Sequence, residues 1–328
     1  MLKFSKGNAK LGKGTLIFNL PAGKTCPGAS LCKAFAVMGD NGKTTVQDGA
    51  ETVFRCFAAS SEAQYPATFA SRAHNLQTIV EALRGGIDAA AIMINNGIQN
   101  HRTKNTKLVR IHESGDFFSL AYLRAWIAVA KLNPDLKFYC YSKSLPFFLT
   151  DDLDSDLIDL PENFFMTASY GGQWDHLIDR NYFPRYSKVV MNDAEAEELG
   201  LEVDHDDSHC FGDKPFALLV HGTQPKGSIA AAKLKERKAK GAFSGYNSKN
   251  KVRPWLTFKA DSSLSNKGVN FNPLYTLPVF LRFLYFSKNV PFSFIRIVRD
   301  LFVLLSGVDF SLLVTVYRIN LTCQGVTN

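Results

Sequence analysis

The stretch Leu108-Val109-Arg110-Ile111-His112-Glu113-Ser114-Gly115-Asp116 joins a short apolar run to a polar, glycine-containing end. A run of this length and composition predicts a buried β-strand. Polar residues that directly follow a strand lie at its carboxyl end, where the loops of a parallel sheet converge. The stretch therefore predicts a sheet strand with functional side chains at its end.

Similar apolar runs recur downstream, at intervals that hold a strand, a helix and two loops: Phe138–Tyr141, Phe164–Thr167, Val189–Met191 and Phe216–Val220. The connection Leu120–Leu132 has a helical pattern, and Ala194–Leu199 follows the N-cap pair Asn192-Asp193. Apolar strands joined by helices predict a parallel sheet covered on both faces. We expect an α/β fold with a partial or full β/α barrel of parallel strands. An open doubly wound sheet is the alternative.

The regions on either side of these repeats differ from them in composition. Residues 7–25 indicate a loop or short hairpin that leads into Cys26, and the apolar spacing over Ala67–Arg84 predicts an amphipathic helix. We expect residues 1–250 to form the barrel-like domain, with cysteine-bearing loops near its start. Residues 251–328 form an apolar C-terminal appendage, for which packed helices and a membrane-surface hairpin are the two alternatives.

The composition places the chain in a class of proteins. It is 46% hydrophobic and 21% charged over 328 residues, as in folded proteins rather than disordered ones. Met1–Gly7 lacks the apolar run of a signal peptide, and no uncharged stretch near the C-terminus reaches the roughly 18 residues of a spanning helix. We therefore predict a protein of a reducing, intracellular compartment with no transmembrane span.

Six cysteines in a reducing compartment indicate metal binding or catalysis more often than disulfides. Cys26 and Cys32 flank a turn-rich segment, and Cys56 follows a polar loop. Thiolates at such positions predict a site for zinc or an iron–sulfur cluster. Either one coordination position is open, or Cys210, His209 or His205 supplies a fourth ligand. The alternative is that these cysteines are unrelated small core residues.

His112, Glu113 and Asp116 are the candidate catalytic residues, because an imidazole and two carboxylates at a strand end can serve as acids, bases or ligands. The alternative is a helix N-cap with solvated charges and a histidine satisfied by a backbone carbonyl. Weaker candidates follow the other strands: Ser142, Lys143, Ser169, Tyr170, Asn192, His221, Thr223 and Gln224.

The net charge of +8 is concentrated in one segment. Between Pro225 and Lys259 there are ten lysines and arginines and one acidic residue, Glu236. This segment therefore carries a net charge of +9, and the rest of the chain is nearly neutral. Cationic side chains with nearby aromatics can bind nucleic acid. A solvated helix face is the alternative. The candidate nucleic-acid-binding residues are Lys233, Lys235, Arg237, Lys238 and Lys240.

Several ordered motifs between Phe4 and Gly245 are similar to the phage gene-product-88 family: Gly7–Leu11, Leu20–Ala29, Phe54–Ser60, Val109–Asp116 and His221–Ser228. The resemblance implies a gene of a bacteriophage or related mobile element, expressed in a bacterial cytoplasm. It implies no established activity.

A looser architectural likeness is to radical S-adenosylmethionine enzymes, which pair a three-cysteine iron–sulfur site with a β/α barrel. Their usual Cys-x3-Cys-x2-Cys loop is absent, so S-adenosylmethionine enters by analogy alone. Three functions stay open. The first is a metal-dependent enzyme acting on a small molecule or nucleic acid. The second is a non-catalytic phage accessory protein that binds nucleic acid through residues 225–259, with structural zinc or no metal. The third is a host-interaction protein that uses the C-terminal appendage.

Overall fold

The computed structural model describes residues 1–7, 11–12, 14–150 and 157–241, all within the unit Met1–Pro254. The predicted appendage 251–328 and the part of the basic segment beyond residue 241 lie outside the described residues. In the portion that is described, no helix is both long enough and apolar enough to cross a membrane.

The described strands are, in chain order, β1 Phe4–Lys6, β2 Thr15–Phe18, β3 Ala34–Met38, β4 Thr44–Asp48, β5 Leu108–Ile111, β6 Lys137–Ser142, β7 Phe164–Ser169, β8 Tyr186–Val190, β9 Glu202–Val203 and β10 Phe216–Leu219. The described helices are α1 Phe57–Gln64, α2 Pro66–Arg84, α3 Ile87–His101, α4 Leu120–Leu132, α5 Asp175–Asp179, α6 Asp193–Glu198 and α7 Ile229–Ala239. Short 3₁₀ helices span Leu145–Phe148 and Ser208–Phe211.

Eight strands form one mostly parallel sheet in the order β1-β2-β5-β6-β7-β8-β10-β9, and β3 pairs with β4 in a separate antiparallel hairpin. From β2 to β10 the neighbouring strands are parallel and follow the chain order. This order lacks the reversal that defines a doubly wound sheet. Among the described strands no pairing joins β1 to β9, so the sheet is not closed into a barrel.

One face of the sheet packs against the long helices. Val109, Ile111 and Phe138 project into a core that contains Trp126 and Val129 of α4. Because side chains alternate along a strand, the intervening residues of β5 and β6 occupy the opposite face.

The opposite face, which carries Arg110, Tyr139 and Tyr141, is concave. The rings of Tyr141 on β6 and Phe216 on β10 lie 6.1 Å apart, although β7 and β8 stand between their strands. Three strand spacings in a flat sheet would separate them by about 14 Å. The sheet therefore curves strongly around this face.

Several sequence predictions are confirmed at the level of single elements. The α/β class and the parallel strands are present, and the predicted helices Ala67–Arg84 and Leu120–Leu132 correspond to α2 and α4. Asn192 caps α6 by accepting a hydrogen bond from the Glu195 N–H. Residues 7–25, for which the sequence predicts a loop or short hairpin, contain β2, which pairs with β1 before residue 7. β2 also pairs in parallel with β5, which its short apolar run did not reveal.

Candidate functional site

The chain that leaves β2 crosses the carboxyl ends of β6 and β7. In this segment, residues 19–33 and here called the cysteine loop, the Gly28 carbonyl accepts a hydrogen bond from the Gln173 N–H at 2.9 Å. A Cβ atom at Gly28 would stand 2.1 Å from the Lys143 carbonyl oxygen, so only glycine permits this approach. The cysteine loop is thus fixed on the carboxyl edge of the sheet.

The thiols of Cys26, Cys32 and Cys56 are free and share one neighbourhood on this edge. Burial raises the pKa of the Cys26 thiol well above its ordinary value, and the nearby acidic groups Asp116, Cys56 and Cys32 raise it further. Burial and the Cys32 thiol raise the pKa of Cys56 to about 11. The side chains of Cys26, Cys32 and Cys56 therefore lie in the same region of the structure.

The thiols do not stand in a finished coordination sphere. Within the residues that the structure describes, no group of three or more His, Cys, Asp or Glu side chains is arranged to hold a metal ion. The raised pKa values keep Cys26 and Cys56 protonated at neutral pH, and the thiolate rather than the thiol is the metal ligand. The three thiols are therefore free, and those of Cys26 and Cys56 are protonated.

Cys56 is held in place from both sides along the chain. The preceding Arg55 pairs with Asp48 of β4, and its backbone exchanges two hydrogen bonds with the side-chain amide of Gln224 after β10. On the other side, backbone N–H groups at the start of α1 partly offset the rise in the pKa of Cys56. The predicted candidate Gln224 thus anchors the segment that carries Cys56.

A buried ion pair links the parts of this site, and the sequence analysis missed it. Glu62 Oε1 accepts hydrogen bonds from Arg72 Nη1 and the Ala22 N–H, both at 2.9 Å, and from Ser114 Oγ at 3.3 Å. Arg72 Nη1 also donates to the Ala58 carbonyl at 3.0 Å. The pair thereby connects the cysteine loop, α1, α2 and the loop after β5.

The candidate catalytic residue His112 lies on the helix side of the sheet. Its ring contacts Phe18 and Phe117, and its Nε2 atom lies 2.8 Å from Tyr122 Oη. Burial and the positive charge of Arg110 lower the pKa of His112 to about 3, so the imidazole is neutral at physiological pH. Its ring hydrogen bond is to a tyrosine hydroxyl rather than to the backbone carbonyl of the alternative interpretation.

Asp116 is the member of the predicted catalytic trio that lies near Cys26. Its carboxylate accepts hydrogen bonds from Ser142 Oγ at 2.7 Å, the Lys143 N–H at 2.8 Å and the Phe117 N–H at 2.7 Å. Burial raises the pKa of Asp116, and these hydrogen bonds oppose the rise. The carboxylate therefore orders the loop after β6 beside the thiols.

Glu113 occupies a different position from Asp116. Its backbone N–H donates to Asn19 Oδ1 at 2.9 Å, which ties the loop after β5 to the cysteine loop. Its side chain is half-buried. The hydrogen bonds described here thus join His112 to Tyr122, the Glu113 backbone to Asn19 and Asp116 to Ser142.

The predicted fourth ligands lie in the segment that packs on the concave face. The Cys210 thiol donates to the Asp207 carbonyl at 2.8 Å, and burial with nearby Asp207 and Asp204 raises its pKa. His209 Nδ1 lies 2.8 Å from Asp204 Oδ1, and Nε2 lies 3.3 Å from Glu202. The groups that shift the pKa of Cys210 do not include the three N-terminal thiols. His205 belongs to the same segment.

Helix α7 carries the described part of the basic segment. Arg237 is buried, and its Nη1 atom donates to the Val220 carbonyl at 2.9 Å and to the Met191 carbonyl at 3.3 Å. Lys233 and Lys240 pair with Glu236, whereas Lys235 and Lys238 are exposed. Arg237 thus joins α7 to the sheet, and the remaining predicted residues lie on its surface.

Comparison with known proteins identifies the family. The chain is 33% identical over 90 residues to the Gene 88 protein of Mycobacterium phage L5. This alignment covers 27% of the chain and 38% of the phage protein, so it spans well under half of either. No solved structure matches the chain. The family model described as Gene product 88 matches residues 2–243, which is most of the chain and nearly all of its described part, and the chain therefore belongs to the gene product 88 family.

Proposed function

We propose that this phage-family protein binds zinc or an iron–sulfur cluster through Cys26, Cys32 and Cys56, and that it is an enzyme acting on a small molecule or nucleic acid. The observation that carries the proposal is the proximity of three free thiols on the carboxyl edge of a parallel sheet. Ligand sites of α/β proteins concentrate at this edge. Three thiolates also leave one coordination position open, as catalytic metal sites do.

The chemistry of the donors suits a soft cation. Thiolates favour zinc and iron–sulfur clusters over magnesium or calcium. Binding would replace the protons of Cys26 and Cys56 with metal, and the metal charge would offset the burial and the nearby acidic groups that raise their pKa values. The free state of the thiols supports a reducing bacterial cytoplasm as the site of action.

The strand order supports a partial β/α barrel as the finer description of the fold. The six strands β2, β5, β6, β7, β8 and β10 follow one another across the sheet, as the strands of a barrel do. Cys26 and Cys32 then lie in the loop after the first parallel strand. This placement supports the analogy with iron–sulfur barrels, although it does not extend to S-adenosylmethionine.

Metal analysis of protein purified under anaerobic conditions tests the proposal. We expect about one zinc ion or one cluster per chain, and an iron–sulfur cluster would add absorbance at about 400 nm that dithionite bleaches. Replacing Cys26, Cys32 or Cys56 with serine should remove the metal. Cys140→Ser is the matched control, since Cys140 lies in the helix-side core. A content below about a tenth of an equivalent in the wild-type protein would refute the metal site.

Cys210→Ser separates two versions of the site. If Cys210 supplies a fourth ligand, this variant loses metal as the other three do. Its position beside Asp207 and Arg110 favours full retention of metal, with the fourth position open. The absorbance and metal content of this variant decide between a closed structural site and an open one.

A second candidate function is nucleic-acid binding by the basic segment, which the exposure of Lys235 and Lys238 favours. Such binding should weaken steeply as salt rises, because it depends on release of counterions from phosphates. Reversing both lysines to glutamate should then reduce binding of a labelled duplex, with the exposed Lys131→Glu on α4 as control. If the double variant and the Lys131→Glu control bind the duplex equally well, Lys235 and Lys238 of α7 do not contribute to nucleic-acid binding.

A further inference from the structure

Two polar side-chain pairs follow each other on the concave side of β6 and β7. Tyr141 stands opposite Thr167 in the parallel register. The hydroxyl oxygens of both residues are buried, and neither has a hydrogen-bond partner among the described residues. Buried hydroxyls in proteins are nearly always paired with protein, water or ligand, so these two, which have no protein partner, can bond a polar ligand or water.

The second pair lies one step closer to the carboxyl edge. Lys143 Nζ donates to Ser169 Oγ at 2.5 Å, and Ser169 follows Thr167 by two residues, on the same face of β7. In the described part of the chain no carboxylate lies within ion-pair distance of the Lys143 ammonium group. The half-buried ammonium is therefore available to an anion, and its backbone is held by Asp116 beside Cys26.

The charged groups near Tyr141 in the deeper part of this surface are Arg110, Asp207 and Asp204. The guanidinium of Arg110 is neutralised by the carboxylate of Asp207, and it lies over the ring of Tyr141 at 5.3 Å from the centroid. Two residues along a strand span roughly 6 to 7 Å. The cradle thus offers a cation at the edge of the sheet and neutral hydroxyls about that distance further in.

We propose that Lys143, Ser169, Tyr141 and Thr167 form a binding cradle for a small molecule that carries one anionic group and an uncharged, oxygen-rich body. A sugar phosphate and a sugar acid share this chemistry. The inference deepens the proposed function, since it names the ligand class for the same edge of the sheet. Binding of the ligand in the cradle does not require the thiol site, but the role of the bound ligand rests on the proposed function.

Calorimetric titration of the full chain tests the cradle, with ribose 5-phosphate and gluconate as the phosphate and carboxylate probes. We expect saturable binding of at least one probe, and binding of unphosphorylated ribose about tenfold weaker or less, because it lacks the ion pair. Lys143→Gln should weaken the bound probe about tenfold or more. The control Lys131→Gln, on the exposed surface of α4, should bind like the wild-type protein.

The hydroxyl variants distinguish a ligand site from a structural one. Thr167→Val and Tyr141→Phe should each weaken probe binding about fivefold to tenfold, the value of one hydrogen bond. In the absence of probe, both variants should unfold at the same or a higher temperature than the wild-type protein, because each loses a buried hydroxyl without a protein partner. A structural role would lower the unfolding temperature instead.

The proposal is overturned if neither probe binds, if Lys143→Gln leaves binding unchanged, or if the hydroxyl variants lower stability without affecting the probe. The last result would assign the hydroxyls to ordered water alone. Metal content of the same samples is measured separately. Probe binding without metal would retain the cradle and refute the metal proposal, and metal without probe binding would do the reverse.

Discussion

Glu62 on α1 and Arg72 on α2 form a buried ion pair that joins the two helices to the cysteine loop. The two atoms in contact lie 2.9 Å apart, and the side chains are 2% and 6% exposed. The same Glu62 oxygen accepts the Ala22 N–H, so loss of its charge affects the loop as well as the pair. The pair therefore fixes the start of the cysteine loop at Ala22 and the start of α1 at Ala58, near Cys26 and Cys56 in the chain.

We predict that Glu62→Gln lowers the free energy of unfolding by roughly 3–5 kcal/mol, because Arg72 would remain buried without its compensating charge. Urea denaturation followed by circular dichroism measures the change. Glu81→Gln is the matched control, since the Glu81–Arg84 pair is exposed and such pairs contribute little. Equal effects of the two substitutions would contradict a structural role for the buried pair.

The neutral state of His112 predicts a fall in stability at acid pH. The folded protein holds the pKa of His112 at about 3, whereas an unfolded histidine titrates near 6.5, so the unfolded state binds more protons between these values. Stability from this group is therefore complete above pH 6.5 and falls as the pH drops toward 3, by up to about 1.4 kcal/mol per pH unit.

His112→Gln tests this dependence, because glutamine does not titrate and can still bond Tyr122 Oη. We expect a flatter decline of the unfolding free energy between pH 6 and 4 than in the wild-type protein. The control His176→Gln replaces an exposed histidine and should leave the decline as it is. An unchanged slope in His112→Gln would show that other groups dominate acid unfolding.

The parallel sheet could be predicted because its short, mostly apolar strands recur with helices between them. The candidate site was harder to predict from the sequence than the sheet, and His112 shows why. The sequence places an imidazole at a strand end, but it does not show which face of the sheet receives it, and a change of face separates a functional group from a core residue. In the structure the ring enters the aromatic cluster with Phe18 and Tyr122.

The burial of Arg72 could have been predicted from the sequence, although the sequence analysis did not identify it. It occupies a position of the apolar stripe of α2, in step with Phe69, Leu76 and Ile79, and a charge on such a stripe indicates a buried partner. The partner Glu62 lies on another helix, so its identity depends on tertiary packing. The concave hydroxyls Tyr141 and Thr167 had no comparable signal, because curvature of the sheet creates their setting.

Arg237 provides a test of which basic residues are structural. Its guanidinium donates to carbonyls at the ends of β8 and β10, so Arg237→Ala should leave these acceptors unsatisfied and lower the free energy of unfolding by roughly 2–4 kcal/mol. The double variant Lys235→Ala, Lys238→Ala should unfold like the wild-type protein, since both side chains are exposed. Thermal denaturation of the two proteins compares the effects, and comparable losses would contradict this division.

Gly28 supplies the most direct test of how the cysteine loop is positioned. A methyl group at this residue would stand 2.1 Å from the Lys143 carbonyl oxygen and 2.7 Å from the Trp174 ring. Because the contact with Lys143 is to backbone, the clash can be relieved only if the cysteine loop moves away from the sheet. We predict that Gly28→Ala keeps the helix-side core folded but reduces metal binding at least tenfold, because Cys26 and Cys32 flank the displaced residue.

Metal content and near-ultraviolet circular dichroism of the same sample measure these two effects. Gly212→Ala is the control, since a Cβ atom there would meet the His209 carbonyl at an ordinary 3.5 Å. If Gly28→Ala retains full metal content, the cysteine loop does not need its close approach to the sheet to assemble the site. Loss of metal in Gly28→Ala alone would connect the glycine contact with Lys143 to the chemistry of the thiols.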